Sequence, residues 1–237
     1  MICVCLPTYN ERENLERMVD ALQKVLGDED FVLVIDDSSP DGTGEIADRL
    51  ADERRSVHVL HRPRKEGLGP AYLDGFRRAL ELGADLIFEM DCDFSHDPAD
   101  VPRLAAAAES ADLAIGSRYV DGGGTRNWGF LRRFISRGGS LYAQVLLSVG
   151  VRDLTGGFKC YRRIVLETID LDAIHSKGYA FQIETTYMAL RRDFRVVEVP
   201  IVFVDRQVGG SKMSKAIVLE AVWKVPAMRL ATLRARA

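Results

Sequence analysis

Long hydrophobic runs are missing from this chain of 237 residues. No stretch reaches the about 18 consecutive apolar residues of a membrane-spanning helix, so none is expected. Met1 leads directly into a strand-like apolar run, so no secretory leader is expected either. Cysteine is scarce. The four, at positions 3, 5, 92 and 160, form no C-x-x-C pair. No disulfide framework is therefore indicated, and a reducing cytosol fits. Cys3 and Cys5, two apart in an apolar run, should share one buried face of a strand. The four histidines show no metal-ligand spacing. A Walker loop and a serine or cysteine nucleophile signature are absent. Gly67-Leu-Gly69 lacks the third glycine of a dinucleotide fingerprint, with Tyr72 in its place, and reads as a turn and close-packing feature. A formal charge of −3 excludes the strongly basic balance of a nucleic-acid binder.

Charge of one sign is also missing locally. From Gly122 to Arg152 there are five arginines and no acid, and from Arg206 to Ala237 seven Lys/Arg stand against Glu220 alone. Such basic stretches on a near-neutral protein suit an anionic ligand or an anionic membrane surface, although a solvated charged face gives the same pattern. No internal repeat, low-complexity tract or linker interrupts the chain. One domain over 1–237 is expected, with a first half to 119, a second part 120–213 and a C-terminal amphipathic helix 214–237.

What is present is a βαβα rhythm. Ile2–Leu6, Phe31–Ile35, Val57–Leu60, Leu86–Met90 and Leu113–Ile115 read as strands. Helices are expected near 11–26, 43–54, 70–82 and 98–109. Asn10 and Glu13 suggest a capping box for the first of them. The pattern predicts an α/β fold, a mostly parallel sheet flanked by helices. After Tyr119 the regularity ends. Asp121–Thr125 reads as a glycine-rich loop, Leu131–Val149 as a helix, 195–204 as one strand, and Gln207–Lys212 as a Gly/Ser loop. A final helix is expected from about Ser214, kinked or ended by Pro226.

In open α/β sheets ligands bind beyond the carboxyl ends of the strands, and polar residues cluster there. These are Pro7-Thr-Tyr-Asn-Glu11, Asp36-Asp37-Ser-Ser-Pro-Asp-Gly42, Asp91-Cys92-Asp93 and Gly116-Ser-Arg-Tyr119. Each alone suits a turn; four at one sheet edge point to a site. Two carboxylates at the end of an apolar strand, Asp91 and Asp93, repel each other, and a divalent ion would supply the counter-charge. A solvated acidic turn is the plain alternative. A phosphatase pair is another, although that chemistry usually sits on the first strand of its chain.

These motifs resemble the inverting family-2 glycosyltransferases of GT-A (Rossmann-like) fold. The second half narrows the resemblance. Arg132-Arg-Phe-Ile-Ser-Arg137, Asp153-Leu-Thr-Gly-Gly-Phe158, Ser176-Lys-Gly-Tyr-Ala-Phe-Gln182, Glu198-Val-Pro-Ile201 and Asp205-Arg-Gln-Val-Gly-Gly-Ser-Lys-Met213 are similar to the polyprenol (dolichol) phosphate mannose synthases. The resemblance implies mannose transfer from GDP-mannose to a polyprenyl (dolichyl) phosphate with inversion. It implies Mg²⁺ or Mn²⁺ as cofactor and a peripheral site on the cytosolic face of a membrane, reached through C-terminal interface helices or a membrane-anchoring subunit. By the same matching, Pro7, Tyr9, Glu11, Ile35 and Asp37 line the nucleoside pocket. Asp91, Cys92 and Asp93 meet the donor diphosphate, and Asp91, Asp93 and Ser95 the metal. Arg118, Arg132 and Ser136 form the acceptor-phosphate pocket, and Arg206 and Lys212 a loop over the donor phosphates. Asp91, Asp93, Arg118, Arg206 and Lys212 are the expected catalytic set. A related transferase using UDP-glucose, a metal-dependent phosphatase or nucleotidyltransferase, and a non-catalytic membrane subunit are the competing readings. Asp91, Asp93, Arg118 and Arg132 together argue against the last.

Overall fold

The structure is a computed structural model that describes residues 1–176, 178–205 and 222–230, with Tyr179 described by its backbone. Nine strands are assigned among these residues: β1 (Ile2–Thr8), β2 (Phe31–Asp36), β3 (Val57–His61), β4 (Leu86–Glu89), β5 (Leu113–Ser117), β6 (Gly124–Arg126), β7 (Lys159–Arg162), β8 (Val196–Pro200) and β9 (Val202–Val204). The helices are α1 (Leu15–Gln23), α2 (Thr43–Glu53), α3 (Leu68–Glu81), α4 (Val101–Glu109), α5 (Phe130–Leu147), α6 (Arg163–Thr168), α7 (Tyr179–Arg191) and α8 (222–230).

Seven strands form one sheet in the order β3-β2-β1-β4-β7-β5-β8, and β6 and β9 make a separate pair. Only β7 runs against the large sheet, antiparallel to both β4 and β5. The mixed, mostly parallel α/β architecture expected from the sequence is the one observed. Alternating side chains of each strand feed two cores. Cys3, Cys5, Leu33 and Ile35 pack with Tyr72, Phe76 and Phe181. Val4, Leu6, Val32 and Val34 pack with Met18, Leu22, Leu50 and Leu104. Cys3 and Cys5 do share a face, with sulfurs 3.9 Å apart.

Several local expectations need correction. The capping box at Asn10 does not form. Asn10 is left-handed (φ 57°), and α1 begins at Leu15. The reason lies across the sheet edge, where the backbone N–H groups of Asn10, Glu11 and Arg12 donate to Ser39, Thr43 and Asp41. The 195–204 run is two strands. β8 pairs with β5 as far as Pro200, then Ile201 donates to Ser117 and the chain crosses to pair β6. Part of the expected 121–125 loop is therefore strand β6. Strand β7, which sequence alternation does not mark, completes the sheet.

Pro226 does not end the last helix within the described residues, because α8 runs through it. A proline cannot donate to the carbonyl four residues back. Here that carbonyl, of Val222, accepts from the Tyr142 hydroxyl at 2.9 Å. Arg229 in turn donates to the Leu147 carbonyl at the end of α5. Gln207–Lys212 and the start of the last helix lie outside the described residues.

Gly67 and Gly69 act as the sequence suggests. Gly67 has φ 116°, and a Cβ on Gly69 would lie 2.2 Å from the Ser176 carbonyl oxygen. Replacing Gly69 by alanine must push the 176 segment off α3 and should cost about 1–3 kcal/mol. Gly138, in the α5 interior with open space around it, should instead gain about 0.5–1 kcal/mol on the same change. Urea unfolding of the two variants checks both signs.

Candidate active site

The carboxyl ends of β1, β2, β4 and β5 bring all four polar clusters to one edge. Asp36 ties the first two loops together, accepting from the Thr8 and Ser39 hydroxyls at 3.1 and 2.6 Å. Asp37 is buried and ion-paired with Arg62. Burial pushes the Asp37 carboxyl up, and the Arg62 guanidinium opposes it. Arg62 also binds Asp74 and Glu66, at 2.8 and 3.1 Å. The ammonium of Lys65 lies 3.7 Å from the Tyr9 ring centre. Glu11 is buried and accepts from the Asn14 side chain. Pro7 is half-buried beside β2. The Ile35 side chain enters the core under α3 rather than lining the edge.

Beyond β4 the chain makes a tight turn with Phe94 left-handed (φ 59°). Asp93 accepts from the Ser95 N–H at 2.9 Å. Cys92 is buried in the core, as are Asp93 and Ser95 in the turn, whereas Asp91 is partly exposed. The Asp91 N–H donates to Nδ1 of His96 at 3.3 Å. That bond assigns the proton of a neutral imidazole to Nε2. The ring stacks on Phe158 and meets Phe203 edge-on at 5.2 Å. Burial holds its pKa down to about 4, and the nearby Arg118 adds to the fall.

Arg118 is buried and committed along one guanidinium edge. Its Nε and Nη2 donate to the two oxygens of fully buried Asp153 at 2.7 and 2.6 Å. Tyr119 donates to Ser136 at 2.7 Å. Arg132 binds Asp205 at 2.7 Å and lies 4.4 Å over the Trp128 ring. Trp128 meets Phe203 edge-on at 5.2 Å. A continuous line of contacts, His96–Phe203–Trp128–Arg132, therefore joins the acidic turn to the arginine cluster. The structure thus gathers Pro7, Tyr9, Glu11, Asp37, Asp91, Asp93, Arg118, Arg132 and Ser136 around one edge. Arg206 and Lys212 lie outside the described residues. Sequence reasoning missed Arg62, His96, Trp128, Asp153 and Phe203. Asp153 and His96 stood inside motifs without an assigned role, whereas Arg62 gave no signal at all.

Beneath the edge, Glu89 accepts from Tyr161 at 2.8 Å, and Lys159 donates to the Gln182 carbonyl at 2.8 Å. Burial raises the Glu89 carboxyl and lowers Lys159 to about 8.

The profile of the family described as Glycosyl transferase family 2 matches residues 3–170. An undecaprenyl-phosphate mannosyltransferase of Micrococcus luteus is 51% identical, over 99% of this chain and 98% of its own length. A polyprenol monophosphomannose synthase of Mycolicibacterium smegmatis is also 51% identical, over 94% of this chain and 84% of its own. Among solved structures, glucosyl-3-phosphoglycerate synthase from Mycobacterium tuberculosis, crystallised with Mn²⁺, UDP and phosphoglyceric acid, superposes with a TM-score of 0.74. It is 18% identical, over 97% of this chain and 78% of that one.

The His96 environment has a pH consequence. Between pH 6.5 and about 4 the unfolded chain takes up a proton on this ring that the folded protein refuses, so stability falls as pH falls through that window. His96→Gln keeps an acceptor for the Asp91 N–H and removes the titration. Urea unfolding at pH 7 and pH 5 should show the wild type losing about 2 kcal/mol more than the variant; equal losses would contradict the assignment.

Proposed function

Since the chain belongs to glycosyl transferase family 2, we propose that it moves mannose from GDP-mannose to a polyprenyl phosphate, with inversion at the anomeric carbon. The observation that carries this reading is the meeting of a two-carboxylate turn and a cluster of arginine and hydroxyl groups, chemically suited to phosphate, at one sheet edge. The similarity to the two mannosyltransferases supports the sugar and the acceptor.

A phosphate monoester has its second pKa near 6, so the acceptor is largely a dianion at neutral pH and needs no strong base. It needs to be held. Arg118, Arg132 and Ser136 are the groups proposed to hold it, arginine because its planar fork matches phosphate oxygens. Asp153, Asp205 and Tyr119 set their orientation. On the donor side Tyr9, Glu11 and Asp37 are proposed to take the nucleoside, with Arg62 keeping Asp37 in place.

Among the described residues no three His, Cys, Asp or Glu side chains converge on a metal position. Two carboxylates on one turn, two positions apart in the chain, fit Mg²⁺ or Mn²⁺, which complete their shells with water and substrate phosphate oxygens. Asp91 and Asp93 would hold the ion, with Ser95 beside them, and the ion would neutralise charge developing on the leaving diphosphate. Arg206 and Lys212 are proposed to add positive charge on the same group.

The acceptor is a lipid, and α5 carries both Arg132 with Ser136 and an outward apolar face. Phe130, Leu131, Phe134, Leu141 and Val145 are each more than half exposed. No described helix is long and apolar enough to cross a membrane. A helix of this kind lies in the interface plane, and we assign α5 that role.

Purified protein with GDP-mannose, Mg²⁺ or Mn²⁺ and a short polyprenyl phosphate in detergent should form lipid-linked mannose. Asp91→Ala should lower the rate by about 100-fold or more. Preference for UDP-glucose over GDP-mannose would sink the donor assignment. Leu141→Asp with Val145→Asp should reduce binding to anionic lipid vesicles by about tenfold or more in flotation assays, and unchanged binding would remove α5 from the membrane surface.

A further inference from the structure

Two buried hydrogen-bond donors beside the arginine cluster have no acceptor among the described residues. The indole N–H of Trp128, a residue 6% exposed, finds none among the described residues, and neither does Nε of Arg132. An unmet buried donor costs on the order of 1–3 kcal/mol, so a pair of them side by side calls for a reason. Arg132 gives another of its donors to Asp205, at 2.7 Å, and two guanidinium groups face the same indole ring. The Arg132 guanidinium carbon lies 4.4 Å from the Trp128 ring centre and that of Arg118 lies 5.5 Å from it. Helix α5, of 18 residues, starts at the next position but one. Gly129 caps it without a side chain, and its first turn carries no acid of its own at the positive dipole end. Arg133 clamps the Trp128 carbonyl through Nε and Nη2, at 3.2 and 3.0 Å, fixing the backbone from which the indole projects.

What these two donors lack, among the described residues, is an oxyanion that reaches both. We propose that Trp128 is a direct ligand of the acceptor phosphate, its indole N–H donating to one phosphate oxygen while Arg132 Nε donates to another. The assignment rests on the reading that the acceptor is a phosphate monoester. An indole N–H is a donor only, and it neither gains nor loses a proton at working pH. It therefore adds directional recognition to a pocket whose arginines already supply charge. A purely structural Trp128 would need only its ring, as a platform for Arg132 and an edge for Phe203.

Trp128→Phe separates the two roles, since it keeps a ring and deletes the N–H. With GDP-mannose and a short prenyl phosphate, the variant should show an acceptor KM raised about tenfold, with the donor KM and kcat within about twofold of wild type. The chain has two tryptophans, so its ¹H–¹⁵N spectrum carries two indole N–H signals. The one missing in the variant should move downfield when wild type is titrated with the prenyl phosphate. An unchanged acceptor KM, a parallel rise in both KM values, or an indole signal that ignores saturating prenyl phosphate would each overturn the proposal. If the indole signal responds but no mannose is transferred, the donor reading fails and the Trp128 assignment stands. If mannose is transferred and the indole signal stays still, only the Trp128 assignment falls.

Discussion

The buried pair of Arg118 and Asp153 is the contact on which the site depends. Withdrawing two such charges from water costs several kcal/mol per ion unless their hydrogen bonds are nearly all made. Here they are well supplied. Asp153 takes the Arg118 backbone N–H and two guanidinium donors, and its own N–H donates to Glu198 on β8. Thr155 accepts from Arg118 and meets Ser140 of α5 at 3.1 Å. One ion pair thus fastens the end of β5, the loop ahead of β7, the edge strand β8 and the helix that carries Arg132. Removing either partner would leave a charge stranded in the interior.

The loops after β1 and β2 are organised by a parallel device. Arg62 gathers Asp37, Glu66 and Asp74 from three segments, so the loop after β2 is held from below by a cation that itself sits out of contact with water. Between the two sides runs the aromatic line from His96 to Trp128. Strand β9 reinforces it, since Val204 donates to the Ser95 carbonyl and Asp205 binds Arg132. The acidic turn and the arginine cluster are therefore spaced by rigid rings and one short strand rather than by flexible chain.

Much of the first half was legible because its signals are local. Apolar runs followed by Asp, Ser, Pro and Gly mark strand ends, and in a parallel sheet strand ends share an edge. The second half was less so. β7 inserts between β4 and β5 by long-range pairing, which no local period reveals. The strand from 195 breaks at Pro200 because Ile201 is drawn to Ser117 and then to β6. Arg62 lies in an ordinary-looking Arg-Pro-Arg-Lys stretch, and only tertiary pairing shows that it is buried while Arg64 is not. Trp128 precedes a basic helix and reads as one more surface aromatic until its burial is seen.

The outward face of α5 has a consequence for the protein away from lipid. Phe130 is 84% exposed, and Trp223 on the neighbouring α8 is 77% exposed. Apolar patches of this sort seek cover from any source. In plain buffer another copy of the chain can supply that cover, opposed by the repulsion of Arg133 and Arg137 on the same helix. Sulfate screens that repulsion and is itself excluded from apolar surface. The helix that also carries Arg132 and Ser136 thus links the site to the protein's self-association, which salts that strengthen apolar burial are expected to favour.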